Sequence, residues 1–335
     1  MKRSYAVAGG LAAAAFIAGA LWWGHRAEKS PGAIEQVTLA DVVEFPGSSL
    51  IRLAEAKGYF TEEGVGVKIQ PQASGKDALD SVLAGTADLA LTLELPVVMA
   101  VLKEAPVLIV ATIATTGKGW GIVARSDRGI VRPQDLKGKR IGVAFGTAAH
   151  FWLDLFLVRN RLAIADVKVT NVPVQKVAEM LAADELDAGV SVEPFLSAAV
   201  GALGPGAVTF SADNAYDAPW SLVVRREFVV RRPDAIRKML RALVRAERFY
   251  ASDREAALSL VAQGQKTDPA RLQRIFRDIQ FRVHLGQSLL GTLEDESRWA
   301  IRNKLVDSAR IPNYLDHIHV DGLLSVAPEA VTILR

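Results

Sequence analysis

From Val37 onward the chain alternates short runs of β-branched and aliphatic residues with amphipathic helical segments, and nothing else in it constrains the fold as tightly. A strand followed by a helix returns in the same direction, so the pattern predicts an α/β protein with mostly parallel sheets. Strands are predicted over 37–43, 65–69, 88–92 and 107–114. Ser48 can cap a helix with Leu50, Ile51, Leu53 and Ala54 on its buried side, which Gly58 ends. Ser74 and Asp77 make a capping-box-like start to the helix through Ala84, and Pro96 suits the first turn of another. Two strand-like runs, 120–124 and 221–225, are expected to act as hinge strands around a second α/β unit. That unit has strands over 140–145, 167–172 and 187–192, with helices near 147–161, 175–183 and 194–200. Beyond Pro233 the pattern is helical to near the end, near 234–250, 254–262, 269–277 and 294–308. A chain that leaves one lobe, builds another and returns makes two lobes joined by two crossings, with a cleft between them. The expected division is 35–118 plus 226–335 for one lobe and 119–225 for the other. No internal repeat is visible.

The first thirty residues read differently. Lys2 and Arg3 precede an apolar run, 5–23, that ends at Gly24-His25-Arg26. A charged start followed by an apolar stretch is the layout of an export signal. The run also approaches the ~20 residues of a membrane-spanning helix, with Trp22 and Trp23 placed for the bilayer interface. Residues 1–30 are therefore read as a cleaved signal peptide or an uncleaved anchor. Under both readings the body is exported to the periplasm, tethered to the inner membrane by 5–23 in the second case.

Forty basic and 37 acidic residues leave a formal charge of +3, without the basic excess of a dedicated nucleic-acid binder. There is no cysteine. Disulfides, thiol catalysis, Cys-ligated zinc, iron–sulfur clusters and a lipid-modified cysteine anchor are thereby excluded. No G-x-S-x-G elbow, P-loop, strand-borne G-x-G-x-x-G or H-E-x-x-H occurs, so no catalytic residue, cofactor or metal is expected. The pair His317 and His319 lacks further ligands close in sequence. Arg237, Arg241, Arg245 and Arg248 recur at helical spacing and read as a solvated face, or as a contact for a transporter or anionic lipid.

In open α/β sheets, ligands bind beyond the carboxyl ends of the strands, where helix amino termini also point. Four junctions follow: 44–48 and 92–95 in the first lobe, 146–150 and 191–194 in the second. They supply Glu44, Phe45, Ser48, Thr92, Glu94, Gly146, Thr147, His150 and Glu193 as candidate ligand-binding residues, with Thr116 and Trp220 near the crossings. Gly146 permits a tight turn, and Thr147 with the free amides behind it can hold an anion or a carbonyl. Thr147 can equally cap its own helix. Glu44, Glu94 and Glu193 together would favour a cationic or donor-rich ligand, although each is also favourable at a helix amino terminus by itself. His150 reads as cleft wall or packing. Trp120, Trp152 and Trp220 read as aromatic walls or as core.

Several stretches match a known family in order and spacing. Ala54-Glu55-Ala56-Lys57-Gly58-Tyr59-Phe60 is followed by Glu63-Gly64-Val65, and Gly85 precedes Asp88 before the third strand. Asp135-Leu136-Lys137-Gly138-Lys139-Arg140-Ile141-Gly142-Val143 leads to Gly146-Thr147, and Leu186-Asp187-Ala188 leads to Glu193-Pro194-Phe195. From about Val37 to Asp321 the chain resembles the sulfonate/taurine/nitrate/thiamine-precursor group of ABC-transporter substrate-binding proteins. The resemblance implies a periplasmic-binding-protein-like type II fold, a small-molecule ligand between the lobes, and delivery to a permease driven by a cytoplasmic ATPase. By position, Thr147 matches the family's ligand-contacting helix start and Glu193 an acidic residue across that lobe's cleft. Two departures stand out. Ala148 and Ala149 follow Thr147 where sulfonate binders carry hydroxyl residues, and no cleft arginine can be named. Relatives that make a thiamine precursor use a cysteine-rich motif, so that activity is excluded. The chain is expected to be a monomeric, non-enzymatic importer receptor for a small organic sulfur- or nitrogen-containing molecule, sulfonate- or taurine-like or related. The competing expectation is a membrane-tethered periplasmic sensor.

Overall fold

The computed structural model describes residues 34–211 and 216–334; the leader, with its signal and anchor readings, lies outside the described residues. The first stretch forms β1 (Glu35–Asp41), α1 (Ser49–Ala56), α2 (Tyr59–Glu62), β2 (Val65–Pro71), α3 (Gly75–Leu83), β3 (Leu89–Thr92), α4 (Glu94–Val101) and β4 (Val107–Thr116). The next forms β5 (Trp120–Arg125), β6 (Arg140–Val143), α5 (Ala148–Arg159), β7 (Lys168–Asn171), α6 (Val177–Ala182), β8 (Ala188–Val192), α7 (Phe195–Leu203) and β9 (Ala207–Phe210). The last forms β10 (Ala218–Arg225), α8 (Arg226–Arg231), α9 (Pro233–Ser252), α10 (Arg254–Gln265), α11 (Pro269–Phe276), β11 (Ile279–His284), α12 (Gln287–Arg302) and α13 (Asp321–Leu324).

The strands make two sheets, ordered β11-β4-β10-β3-β1-β2 and β7-β6-β8-β5-β9. In the first, β1 pairs in parallel with β2 and β3; in the second, β6 pairs in parallel with β7 and β8. An antiparallel strand then follows in each, β10 beside β3 and β5 beside β8. Both sheets thus run second, first, third, incoming strand, fourth. The topology repeats although the residues do not.

The runs predicted as hinge strands are interior strands. β5 lies between β8 and β9, and β10 between β3 and β4. Both are buried along nearly their whole length, as strands covered on two faces must be. The chain instead passes from the first sheet to the second between the end of β4 at Thr116 and the start of β5 at Trp120, and returns between the end of β9 at Phe210 and the start of β10 at Ala218. The helical reading after Pro233 also needs correction. β11 carries Ile, Phe and Val inward and Gln and Arg outward, a period of two, and adds an edge strand beside β4. The helix expected near 294–308 is α12, which ends at Arg302, and β9 had no sequence expectation.

α9 buries Ile236, Met239, Leu240 and Leu243 against the sheet. Its basic stripe turns outward: Arg241 Nε donates to Glu63 Oε2 at 2.7 Å, Arg245 pairs with Glu62 and Glu63, and Arg237 pairs with Asp234. Such exposed pairs are each worth about 0–1 kcal/mol, and they account for Arg237, Arg241 and Arg245 as an ion-paired surface, with Arg248 exposed beside them. Among the described residues no helix is long and apolar enough to cross a membrane.

Candidate ligand-binding site

The carboxyl ends of the parallel strands of both sheets open on one cavity of about 230 Å³. Phe45 and Ser48 reach it from the connection after β1, residues 73–77 from that after β2, and Leu93 from that after β3. Across from them stand Phe145, Thr147 and Ala149 after β6, Asn171 and Gln175 after β7, and Glu193 after β8. The two walls touch at the rim. Gln175 Nε2 donates to the Ala73 carbonyl at 2.8 Å, and the rings of Phe45 and Phe195 meet edge-on at 5.9 Å.

The polar groups set into this wall are unusual. Asp41, Thr92 and Ser191 are 1% exposed and Trp120 and Trp220 are 4% exposed, and all five line the cavity. Asp41 Oδ2, Thr92 Oγ1, Ser191 Oγ and both indole Nε1 atoms have no hydrogen-bond partner among the described residues. A buried polar atom left in this state costs about 1–3 kcal/mol. Five of the eleven such atoms among the described residues stand around this one cavity, where a bound molecule could meet them all; the other six lie apart, on Ser49, Glu94, His150, Tyr250 and Glu296.

Local sequence explains how they are held. Ser48 does not cap α1 as expected; its hydroxyl donates to Asp41 Oδ1 at 2.7 Å and also lies 3.1 Å from the Val42 carbonyl. Burial pushes the Asp41 carboxyl above its ordinary range, opposed by Ser48 and by Arg52, whose Nη2 lies 3.5 Å from Oδ2. Gly146 turns the chain into α5 with φ of +70°, which suits glycine. Thr147 stands at the amino-terminal cap position, yet its hydroxyl donates to the Ala144 carbonyl at 2.8 Å and makes no cap bond. The first amides of α5 therefore donate no bond to it. Ser74 does cap α3, accepting from the Asp77 amide at 3.1 Å. Gly75 is required beside Thr92, because a Cβ there would lie 2.7 Å from Thr92 Oγ1.

Of the residues singled out in the sequence, Phe45, Ser48, Thr92, Thr147, Glu193 and Trp220 gather around this cavity, with Gly146 forming the turn between two lining residues. Four others stand elsewhere. Glu44 is exposed and faces a separate groove with Arg52 and Arg271. Thr116 Oγ1 lies 3.0 Å from the carbonyl oxygens of Lys118 and Asp278, pinning the first crossing to the residue before β11. His150 stands behind the wall, stacked on Phe145 at 4.8 Å, where burial holds its pKa below the ordinary value. Glu94 is wholly buried and faces Glu296 of α12. The expected cluster of three carboxylates is thus not assembled: Glu193 alone of the three lines the cavity, and its carboxylate accepts from Ser197 Oγ at 2.8 Å. That removes the argument for a cationic ligand.

Desolvation pushes the Glu94 carboxyl up to about 8, and Glu296 is likewise raised, so that one of them, protonated, can donate to the other. Between the ordinary value of 4.5 and about 8, the folded chain holds a proton that the unfolded chain has released. Stability is therefore fully present below this window and is lost as pH rises through it. The melting temperature of the unsubstituted protein relative to that of the Glu94→Gln variant is expected to fall from pH 5 to pH 8. Equal slopes in the two proteins would contradict this assignment.

Sequence reasoning missed Asp41 as a cavity group, and with it the two connections that carry Ser74, Lys76, Asn171 and Gln175. Trp120, read as aromatic wall or core, lines the cavity, as does Ser191 of the 191–194 junction, which had not been singled out. The carboxyl-end rule, applied to β2 and β7 as well, would have found both connections.

Residues 46–257 match the family model described as NMT1/THI5 like. The chain belongs to the NMT1/THI5-like family. Solved structures of similar shape include the alkanesulfonate-binding protein SsuA of Xanthomonas axonopodis bound to MOPS. It is 18% identical with a TM-score of 0.72, over 86% of this chain and 99% of that one. The nitrate-binding protein NrtA of Synechocystis is 13% identical with a TM-score of 0.71, over 88% and 89%. The desulfurization enzyme DSZB is 16% identical with a TM-score of 0.63, over 88% and 99%. These likenesses show the fold: this NMT1/THI5-like chain has the two-sheet α/β architecture of type II periplasmic binding proteins. Binding proteins and an enzyme share that architecture, so the role follows from the site.

Proposed function

We propose that this NMT1/THI5-like protein is the exported solute receptor of an ABC importer. It takes a small organic sulfur- or nitrogen-containing molecule between two lobes, 35–118 with 226–335 and 119–225, and hands it unchanged to a permease. The leader serves as export signal or anchor. The observation that carries this reading is the set of unpartnered buried polar atoms around a cavity drawn from both sheets.

Donors dominate that set. An indole N–H only donates, a hydroxyl can donate, and the first amides of α5 add more. They fit an acceptor-rich group, such as sulfonate oxygens, a carbonyl or a ring nitrogen. Asp77 accepts from Ser74 Oγ at 2.7 Å and Lys76 pairs with Asp80 at 2.5 Å, so both are engaged within their own helix. No arginine is among the described residues that line the cavity. One acceptor-rich group on an apolar body, packed against Phe45, Phe145 and the two tryptophans, matches these walls better than a polyanion. Ligand that bridges the walls shifts the population toward the closed form, the form that docks on the permease.

Calorimetry and thermal shift with a panel of sulfonates, amines, pyrimidines and nitrate test this reading. At least one compound is expected to bind one-to-one and to raise the melting temperature. Silence across the panel would contradict it.

A further inference from the structure

Behind the cavity, α12 touches the starts of both helices that open on it. Trp299 Nε1 donates to the buried Asp154 Oδ2 on α5 at 2.8 Å, and Arg302 Nη2 lies 3.5 Å from the same oxygen. The Trp299 ring meets His150 edge-on at 5.1 Å and Phe151 at 5.4 Å. His150 in turn stacks on Phe145, which lines the cavity. Ring contacts therefore run without a break from α12 to the wall that belongs to the second sheet. Three residues earlier on the same helix face, Glu296 is buried against Glu94, the first residue of α4. Leu93 and Thr92, just before it, line the opposite wall. Tyr216, on the second crossing, donates to Glu296 Oε1 at 3.0 Å and packs edge-on against Phe151 at 5.4 Å.

We propose that α12 is a latch that fixes the separation of the two cavity walls, with Trp299 as its positioning residue through the hydrogen bond to Asp154. The proposal rests on the two-lobed receptor reading, and its test needs no ligand. α12 packs along α4 and is continuous with the first wall. Its hold on α5 is narrower: one side-chain hydrogen bond, one longer ion pair and ring edges. Movement of the second wall must break those contacts, whereas the rest of α12 can stay where it is. A packed helix that grips a neighbouring element through a few directional contacts has two discrete arrangements rather than a continuum.

The chain has no cysteine, so spin labels can be placed cleanly. Val131, which is 69% exposed beyond β5, and Val230, which is 77% exposed on α8, sit on opposite sides of the crossings. With Val131→Cys and Val230→Cys in the full chain, electron–electron double resonance reads the wall separation directly. Trp299→Phe keeps an aromatic ring, though a smaller one, and removes the donor; the ratio of long to short separations is expected to rise about tenfold, the size of one lost hydrogen bond to a charged group. Asp154→Ala should reproduce the shift. Asp154→Asn retains an acceptor oxygen for Trp299 but loses the charge that pairs with Arg302, and its ratio should fall between those of the unsubstituted protein and Asp154→Ala. A packing role alone would lower the melting temperature of these variants without moving the ratio. An unchanged ratio in Trp299→Phe and Asp154→Ala would overturn the latch, while calorimetry would still decide the ligand site. Should Trp299→Phe fail to fold, the ratio in Asp154→Ala set against that in Asp154→Asn distinguishes the same two outcomes.

Discussion

Replacing Thr92 by valine and Ser191 by alanine is expected to stabilise the ligand-free protein while weakening ligand binding. Both hydroxyls are buried at 1% exposure, line the cavity and have no partner among the described residues. Removing such a group relieves its desolvation cost, about 1–3 kcal/mol, with the larger share of the benefit in the ligand-free state. The same removal deprives the ligand of a donor, which lowers affinity about ten- to a hundredfold at each position. Thr92→Val preserves the side-chain shape beside Gly75, so packing should change little. Denaturant melts and titration calorimetry on the same samples check the pair of signs. Ordinary core hydroxyls would show the first effect without the second, and ordinary structural ones would show a loss of stability.

Gly47→Ala is expected to damage stability and binding together. Gly47 lies in the turn Pro46–Ser48, and a Cβ there would overlap Cγ, Cδ1 and Cδ2 of the Trp220 indole. Neither partner can yield easily: Trp220 belongs to the interior strand β10, and Ser48 is bonded to Asp41. Forced overpacking of this kind costs about 1–3 kcal/mol. Displacing the indole also removes one donor and one aromatic face from the cavity, so affinity should fall at least about tenfold. A double-mutant cycle gives the discriminating result. In a Trp220→Phe background, where the smaller ring leaves room, the added cost of Gly47→Ala should shrink, as coupled neighbours require. Fully additive costs would show that the contact is not what sets the penalty.

Much of the fold was legible because its central strands are buried on both faces and stand apart from the amphipathic helices between them. β11 was not, because six residues of alternating burial sit among strongly helical neighbours. The hinge strands were placed correctly along the chain but misread in role. A run such as Ser221-Leu222-Val223-Val224 announces burial, not which sheet it enters. The site was legible wherever a polar residue followed a strand. Glu94 shows the limit of that rule, since its fate was set by Glu296 on a helix two hundred residues away. Asp41 and Ser191 show the converse. Polar residues near strand ends become cavity groups only because the opposing wall leaves an oxygen on each without a hydrogen bond, Asp41 keeping its bond from Ser48 and its pairing with Arg52, and nothing local in sequence marks that.

The central claim is that the unpartnered groups around the cavity exist to hold a small molecule, and native mass spectrometry of the full chain, purified from cells grown in rich medium, tests it most directly. One additional mass at one-to-one stoichiometry is expected on the unsubstituted protein, and its loss is expected in the Thr92→Val and Ser191→Ala double variant. A bare chain mass for both proteins, or an adduct retained equally by both, would contradict the claim.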